Sequence, residues 1–405
     1  MRVLQINSVC GIGSTGRIAT DIHKILIENG HESYIAYGRD EPKNCDTTIK
    51  IGTKYDNYSH VAVTRIYDKH GFGSKKATEE FIKKIEVLDP DVIHLHNIHG
   101  YYINIEILFN YLKKADKPVI WTLHDCWAFT GHCAYFDFVG CVKWKSGCFD
   151  CPEKKSYPAS IAKDNSENNF FNKKDIFNGV NNLTIVTPSK WLANLVNDSF
   201  LSKYTVEVIN NGIDLDIFQP TESDFRQKYN LENKFVILGV ASTWDRRKGF
   251  KYFIQLSNEL ESDAVIVLVG LSEKQKKELP KNIIGITRTD SIEALAKIYT
   301  TADVFVNPTL EEVMGLTNVE AMACGTPVIT FNTGGSIECI DEKTGIIVEK
   351  GNSIKLRKVI GEIKKVEKAF YSEACIYRAN TLFDKNDRYL EYLNTYQNSS
   401  TIELK

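Results

Sequence analysis

No apolar run in this 405-residue chain approaches the ~20 residues that a membrane-spanning helix needs. A signal-peptide pattern is missing as well: the first residues enter a strand pattern, VLQIN, so a cytoplasmic location is expected. Neither sign of charge dominates. Lys and Arg total 50 against 52 Asp and Glu, and residues 1–210 carry 25 basic and 24 acidic side chains, which argues against a nucleic-acid partner. Internal repeats and low-complexity tracts are absent, and no histidine lies beyond position 132. With 43% hydrophobic content the chain can bury two cores, and ordinary domain sizes favour two domains.

What is present is a regular alternation. Short β-branched runs (VLQIN, SYIAY, VIHLH, VIWTLH, LTIVTP, then FVILGV, AVIVLVG, IIGIT, DVFVNP, PVITF, GIIVE) are separated by longer amphipathic stretches. Near-continuous apolar strands of this kind are covered on both faces by helices, the mark of doubly wound parallel sheets. The pattern restarts at Lys234 after the Asn210-Asn211-Gly212 turn, which puts a hinge near residues 209–219. The expectation is an α/β chain of two Rossmann-like domains, 1–209 and 210–383, facing each other across a cleft, with ligands at the carboxyl ends of the strands. A last helix is expected at about 384–397, capped by Asp384, with fraying after Asn398.

The densest chemistry lies in EEVMGLTNVEAMACGTPVIT, residues 311–330. Glu312 is expected in a loop, Gly315 at a turn, and Glu320 a turn or two into a helix whose free amides attract an anion. Two carboxylates flanking such amides suit a ligand with hydroxyls at both ends and a diphosphate between them, as in a nucleotide-sugar. The bland reading makes Glu320 a favourable charge near a helix start, about 0.3–1 kcal/mol, and Glu312 a surface residue.

This segment resembles the E-x7-E motif of retaining glycosyltransferases of the GT-B type, family 4 in particular, including its bacterial capsular and exopolysaccharide members. Ala323-Cys-Gly-Thr-Pro-Val-Ile329, VINNGIDLDIF at 208–218, RRKGF at 246–250, TADVFVNP at 301–308 and NTGGSIE at 332–338 carry the same resemblance in the family's order. It implies that Glu312 orients the transferred sugar, that Glu320 accepts from the ribose, and that amides of Gly315, Leu316 and Thr317 hold sugar and phosphates. Lys248 would contact the departing diphosphate, stabilising charge that grows in the transition state. The family's arginine five residues before that lysine is replaced by Thr243, so Arg246 or Arg247 would supply its charge. Arg288 falls where the family reads the base, with uracil preferred. The last helix, 384–405, would cross back onto the first domain.

In the first half, Gly11, Gly13 and Gly16 give a G-x-G-x-x-G spacing. No acidic residue ends the following strand before Asp40, which weakens a dinucleotide reading. By resemblance this loop lies near donor phosphate and acceptor, which singles out Gly13 and Arg17. His124 matches the histidine set against the donor sugar, with Asp125 beside it. His94, His96 and His99 could imitate a metal site, but lining and packing are the preferred reading. His99 and Tyr101 are placed on the acceptor side, where Tyr101 and Tyr102 could equally be core residues.

Five of the ten cysteines lie in the insert 126–152, and Cys133, Cys141, Cys148 and Cys151 form C-x7-C-x6-C-x2-C. In a reducing compartment this spacing suggests a structural zinc site; buried thiols, an iron–sulfur cluster or disulfides are the alternatives. The activity expected is transfer of a hexosyl unit from a UDP-sugar to a glycan or polyprenyl-linked glycan in surface polysaccharide assembly, without a catalytic metal. A nucleotide-sugar epimerase and a non-catalytic nucleotide-sugar-binding protein are the rivals. Lys69, Lys75, Lys76, Lys83 and Lys84 suggest either a peripheral membrane contact or a solvated helix face.

Overall fold

The computed structural model describes residues 1–401. The chain divides into two compact units, one of Met1–Asn210 with Tyr389–Lys405, the other of Asn211–Arg388. The first unit holds a seven-stranded parallel sheet ordered β3-β2-β1-β4-β5-β6-β7. Its strands are β1 (Arg2–Asn7), β2 (Glu32–Tyr37), β3 (Thr48–Lys50), β4 (Val92–Leu95), β5 (Val119–Thr122), β6 (Leu183–Thr187) and β7 (Thr205–Val208). The second unit holds six parallel strands ordered β10-β9-β8-β11-β12-β13. These are β8 (Phe235–Val240), β9 (Ala264–Val269), β10 (Ile283–Ile286), β11 (Val304–Asn307), β12 (Val328–Phe331) and β13 (Gly345–Val348).

All eleven apolar runs become strands. The two unforeseen strands, β3 and β7, are edges of the first sheet with half-exposed residues, so neither needs an apolar run. In each sheet the strand order reverses beside the unit's first strand, between β1 and β4 and between β8 and β11. Loops leaving the carboxyl ends of those strands therefore splay apart and leave a crevice for a ligand.

The chain's last helix, Lys385–Thr401, begins where the Asp384 carboxylate accepts from the Asn386 amide, as expected of a cap. It is still helical at Thr401, past the expected fraying point, and residues 402–405 lie outside the described residues. From Tyr389 onward it belongs to the first unit. Tyr389, Tyr392 and Tyr396 are buried in the cluster of Val3, Ile22, Val92, Ile120 and Ile209. The Tyr396 hydroxyl meets His94 Nδ1 at 2.7 Å, and that of Tyr392 meets Thr122 Oγ1 at 3.1 Å. Tyr396→Ala should therefore cost on the order of 3–5 kcal/mol, through the cavity and the orphaned His94 nitrogen, read as a lower urea midpoint.

Among the described residues no helix is long and apolar enough to cross a membrane. Lys75, Lys76, Lys83 and Lys84 lie on the exposed side of the helix Lys75–Leu88.

Candidate functional site

Two clusters of polar side chains form where the sheets reverse, one in each unit. In the second unit, β11 runs through Pro308 into a loop that carries Glu311 and Glu312 and ends at the helix Leu316–Ala323. Gly315 stands at the cap of this helix with no side-chain cap, and its first turn holds no acidic residue. The Leu316 amide bonds back to Met314 O at 3.0 Å, and the Gly315 amide bonds to the Cys339 sulfur. The Thr317 amide keeps no hydrogen bond among the described residues. The helix start is thus positive and in part unsatisfied, a setting that favours an anion.

Opposite this loop stands the turn after β8. Asp245 caps the short helical turn Arg246–Lys248 by accepting from the amides of Arg247 (2.8 Å) and Lys248 (3.2 Å). Gly249 follows with φ +75, and a Cβ there would lie 2.0 Å from Pro308 O, so only glycine lets the two loops pass so closely. The result is a 2.6 Å ion pair between Lys248 Nζ and Glu312 Oε2, residues 64 apart in sequence. The structure therefore brings together Lys248, Glu312 and the helix start.

Other expected residues stand apart from that pair. Arg247 bonds Asp245 Oδ2 at 3.0 Å and lies 3.8 Å from Glu311, so its charge is committed to shaping the turn. Arg288 is exposed just beyond β10, the edge strand. Glu320 accepts a 2.8 Å hydrogen bond from Tyr299, whose phenol is pushed well above its ordinary range by burial and by the Glu320 charge. Tyr299 thus orients Glu320, a role that only proximity across two helices could reveal.

Gly334 and Gly335 were also not assigned a role from sequence. The Gly335 amide donates to Glu312 O at 3.0 Å, and Gly334, at φ +53, passes so close that a Cβ would sit 1.8 Å from the same oxygen. Behind them Asn318 donates to Ser336 O and Oγ, Asn307 donates to Asn318, and Thr330 meets Ser336 Oγ at 2.7 Å. This buried network holds the backbone beneath Glu312.

In the first unit the histidines gather at the ends of β4 and β5. His94 and His96 share one strand face with ring centres 3.9 Å apart, as their spacing suggests. His94 bridges Tyr396 and Thr122; His96 bridges Gln5 Oε1 (3.0 Å) and His124 Nε2 (3.2 Å). Burial pushes His124 down to about 4, leaving a neutral imidazole at neutral pH. His99 points elsewhere, with Nε2 2.9 Å from Asp125 Oδ2 and Nδ1 2.9 Å from the Tyr157 hydroxyl. Burial alone would raise the Asp125 carboxyl, but the His99 charge, its hydrogen bond and the Trp127 amide together bring it below its usual value. Tyr101 is 7% exposed among the rings of His60, His70 and Tyr157, so it takes the core position rather than an open one. Gly13 opens the helix Gly13–Glu28 at φ +66, and Arg17 lies on its exposed side, reaching back to Gly13 O at 3.3 Å.

The thiols of the cysteine insert lie near one another: Cys133 feels Cys126, Cys148 and Cys151, and Cys148 feels Cys141 and Cys151. Among the described residues, no three His, Cys, Asp or Glu side chains are placed to hold a metal ion. Cys133 hydrogen-bonds Cys151, Cys148 accepts from the Gly131 amide at 3.2 Å, and Cys141 lies half-exposed. Cys133 and Cys148 are buried, and Cys148 is pushed up to about 11 by that burial.

These histidines tie stability to pH. Burial pushes His60 and His124 down to about 4 and His70, His94 and His96 well below the ordinary 6.5. The unfolded chain takes up protons near pH 6.5 while the folded chain refuses them until about pH 4. Stability is thus full above pH 6.5 and lost as pH falls toward 4, at up to ~1.4 kcal/mol per pH unit per histidine. His132 opposes this, since Asp68 outweighs burial and raises it. The urea midpoint of the first unit should be clearly lower at pH 5 than at pH 7.5; equal midpoints would refute the account.

Comparison with known proteins covers both units. Residues 15–217 match Glycosyltransferase Family 4, and residues 234–364 match Glycosyl transferases group 1. The chain is 24% identical over 98% of its length to the whole of the Escherichia coli (strain K12) protein named as colanic acid biosynthesis glycosyl transferase WcaC. It is 28% identical to the capsular polysaccharide biosynthesis glycosyltransferase CapM of Staphylococcus aureus, over 40% of this chain and 50% of that one. Among solved structures, sucrose-phosphate synthase from Thermosynechococcus elongatus superposes with a TM-score of 0.71 at 18% identity, covering 98% of this chain and 99% of that one. HepE of Anabaena in complex with UDP gives 0.70 at 16% identity, covering 98% and 100%.

Proposed function

The chain belongs to glycosyltransferase family 4, and from that footing we propose that it transfers a hexosyl unit from a UDP-sugar to a glycan or polyprenyl-linked glycan acceptor, with retention of configuration, in surface polysaccharide assembly. The observation that carries this reading is the 2.6 Å Lys248–Glu312 pair beside the open start of helix Leu316–Ala323. A diphosphate set against that helix offers Lys248 a second anion, and Glu312 is then available to a sugar hydroxyl. Glu320, steadied by Tyr299, suits the ribose. The UDP in the HepE structure and the relatives named for colanic acid and capsular polysaccharide support the donor and the pathway class.

In this reading the sugar leaves and the acceptor arrives on the same face, and the departing phosphate helps take the acceptor proton. Lys248 and the helix amides stabilise the charge that grows on that phosphate. His124 is held neutral by burial and so adds no charge. Exposed Lys69, Lys75, Lys76, Lys83 and Lys84 offer an anionic lipid surface a contact.

Slow hydrolysis of the donor by water provides the test. UDP-sugars should raise the melting temperature more than GDP-sugars do. The first sugar released, followed by NMR before mutarotation, should keep the donor's anomeric configuration, and turnover should persist in EDTA. Release of the opposite anomer would refute retention, and a preference for GDP-sugars would refute the donor. Loss of turnover in EDTA would show that protein charge does not replace a metal.

A further inference from the structure

The glycine-rich loop of the first unit is laced to the segment that follows β2. The amides of Gly38 and Arg39 both donate to Ser8 O, at 3.2 and 2.9 Å, and the Lys43 amide donates to Cys10 O at 3.1 Å. Gly11, at φ +69, lies so close to this segment that a Cβ would stand 2.1 Å from Lys43 O. Between the two strips sit two cysteines. Cys10 is buried in a small cluster with Ala19, Ile35 and Tyr37, and Cys45 packs against that cluster from its half-exposed side. Each thiol lies close enough to shift the other's acidity, and His23 shifts that of Cys45.

We propose that Cys10 and Cys45 form an oxidisable dithiol, which a low-molecular-weight disulfide such as oxidised glutathione converts into an intramolecular disulfide that fastens the glycine-rich loop to segment 38–47. The order of attack follows from access. Cys45 is the sulfur that solvent reaches, and the nearby Cys10 and His23 bring it down to about 5, so it is a thiolate at neutral pH. Cys10 is held protonated by Cys45 and by burial. The Cys45 thiolate attacks one sulfur of the small disulfide, joins it, and expels one small thiolate. Charge at Cys45 is then gone, Cys10 gives up its proton to that thiolate, and its sulfur attacks Cys45 Sγ and expels the second small thiolate. Two protein thiols are oxidised by two electrons, and one small disulfide is reduced to two small thiols. Because Cys45 already packs against the cluster that holds Cys10, a local movement brings the sulfurs to a bond of about 2.05 Å. Cys324, Cys339 and Cys375 are buried and pushed up to about 12, so they compete poorly.

The experiment is native protein incubated with oxidised glutathione, alkylated, digested with trypsin and mapped by mass spectrometry. Peptides 3–17 and 44–50 should appear linked and separate again with dithiothreitol. Their identity distinguishes this link from any at Cys133 and Cys151. In Cys10→Ser a glutathione adduct should rest at Cys45; in Cys45→Ser neither link nor adduct should form at Cys10. Amide hydrogen exchange over residues 8–13 should slow at least several-fold on oxidation. A missing link in the wild type, or an adduct at Cys10 in Cys45→Ser, would overturn the dithiol, and unchanged exchange in the linked form would overturn the fastening.

Discussion

Lys248→Ala should lower kcat by ~10²–10³, the usual loss when one preorganised donor to a developing negative charge is removed, with a smaller change in donor affinity. The ammonium is placed by features that do not depend on the lysine side chain: the Asp245 cap under amides 247 and 248, and Gly249 passing Pro308. Removing it should leave the turn intact while withdrawing charge from the leaving phosphate. The mutation also strips Glu312 of its 2.6 Å counter-ion, which gives a second effect to separate. Stability should fall because a largely buried carboxylate loses its partner, and Lys248→Ala/Glu312→Ala should recover that stability without recovering turnover. Steady-state kinetics and melting curves on both variants decide. A normal kcat with a lowered melting temperature would leave Lys248 a counter-ion and nothing more.

The sequence showed each half of that ion pair but not their meeting. Strands buried on both faces leave continuous apolar runs, so the interior strands were legible, whereas β3 and β7 have one open edge and left no such trace. Glu312 and Glu320 could be read because the spacing of an acid about a helix start is local. Tyr299 could not: it reaches Glu320 from the preceding helix, and nothing near it in sequence marks a buried phenol as the partner of a carboxylate. Arg247 shows what a basic turn leaves unread. A basic turn looks like three cations aimed at an anion, but Asp245 and Glu311, both nearby in space, claim this one. The packing of the cysteine insert was equally hidden, because spacing alone does not say that Cys133 is buried or that Cys148 bonds a backbone amide.

Glu312→Ala should abolish transfer with the fold retained, and Gly334→Ala should approach that loss without touching the carboxylate. At φ +53 a side chain is already strained by about 1 kcal/mol, but the larger effect is positional. The new Cβ would fall 1.8 Å from Glu312 O and 2.9 Å from its carbonyl carbon, both rigid backbone. Gly334 has little room to retreat, because Ser336 two residues on is tied to Asn318 and Thr330. The backbone of Glu312 must therefore move, taking the carboxylate out of register with Lys248 and with the sugar it is proposed to orient. A misplacement of ~1 Å can cost ~10²-fold in rate, so kcat should drop by about that factor while the melting temperature falls by only a few degrees. Ser336→Ala removes one tie without the clash and should lose less than Gly334→Ala. If Gly334→Ala turned over at the wild-type rate, the glycine pair would be packing for the helix alone, and the geometry of Glu312 would owe nothing to it.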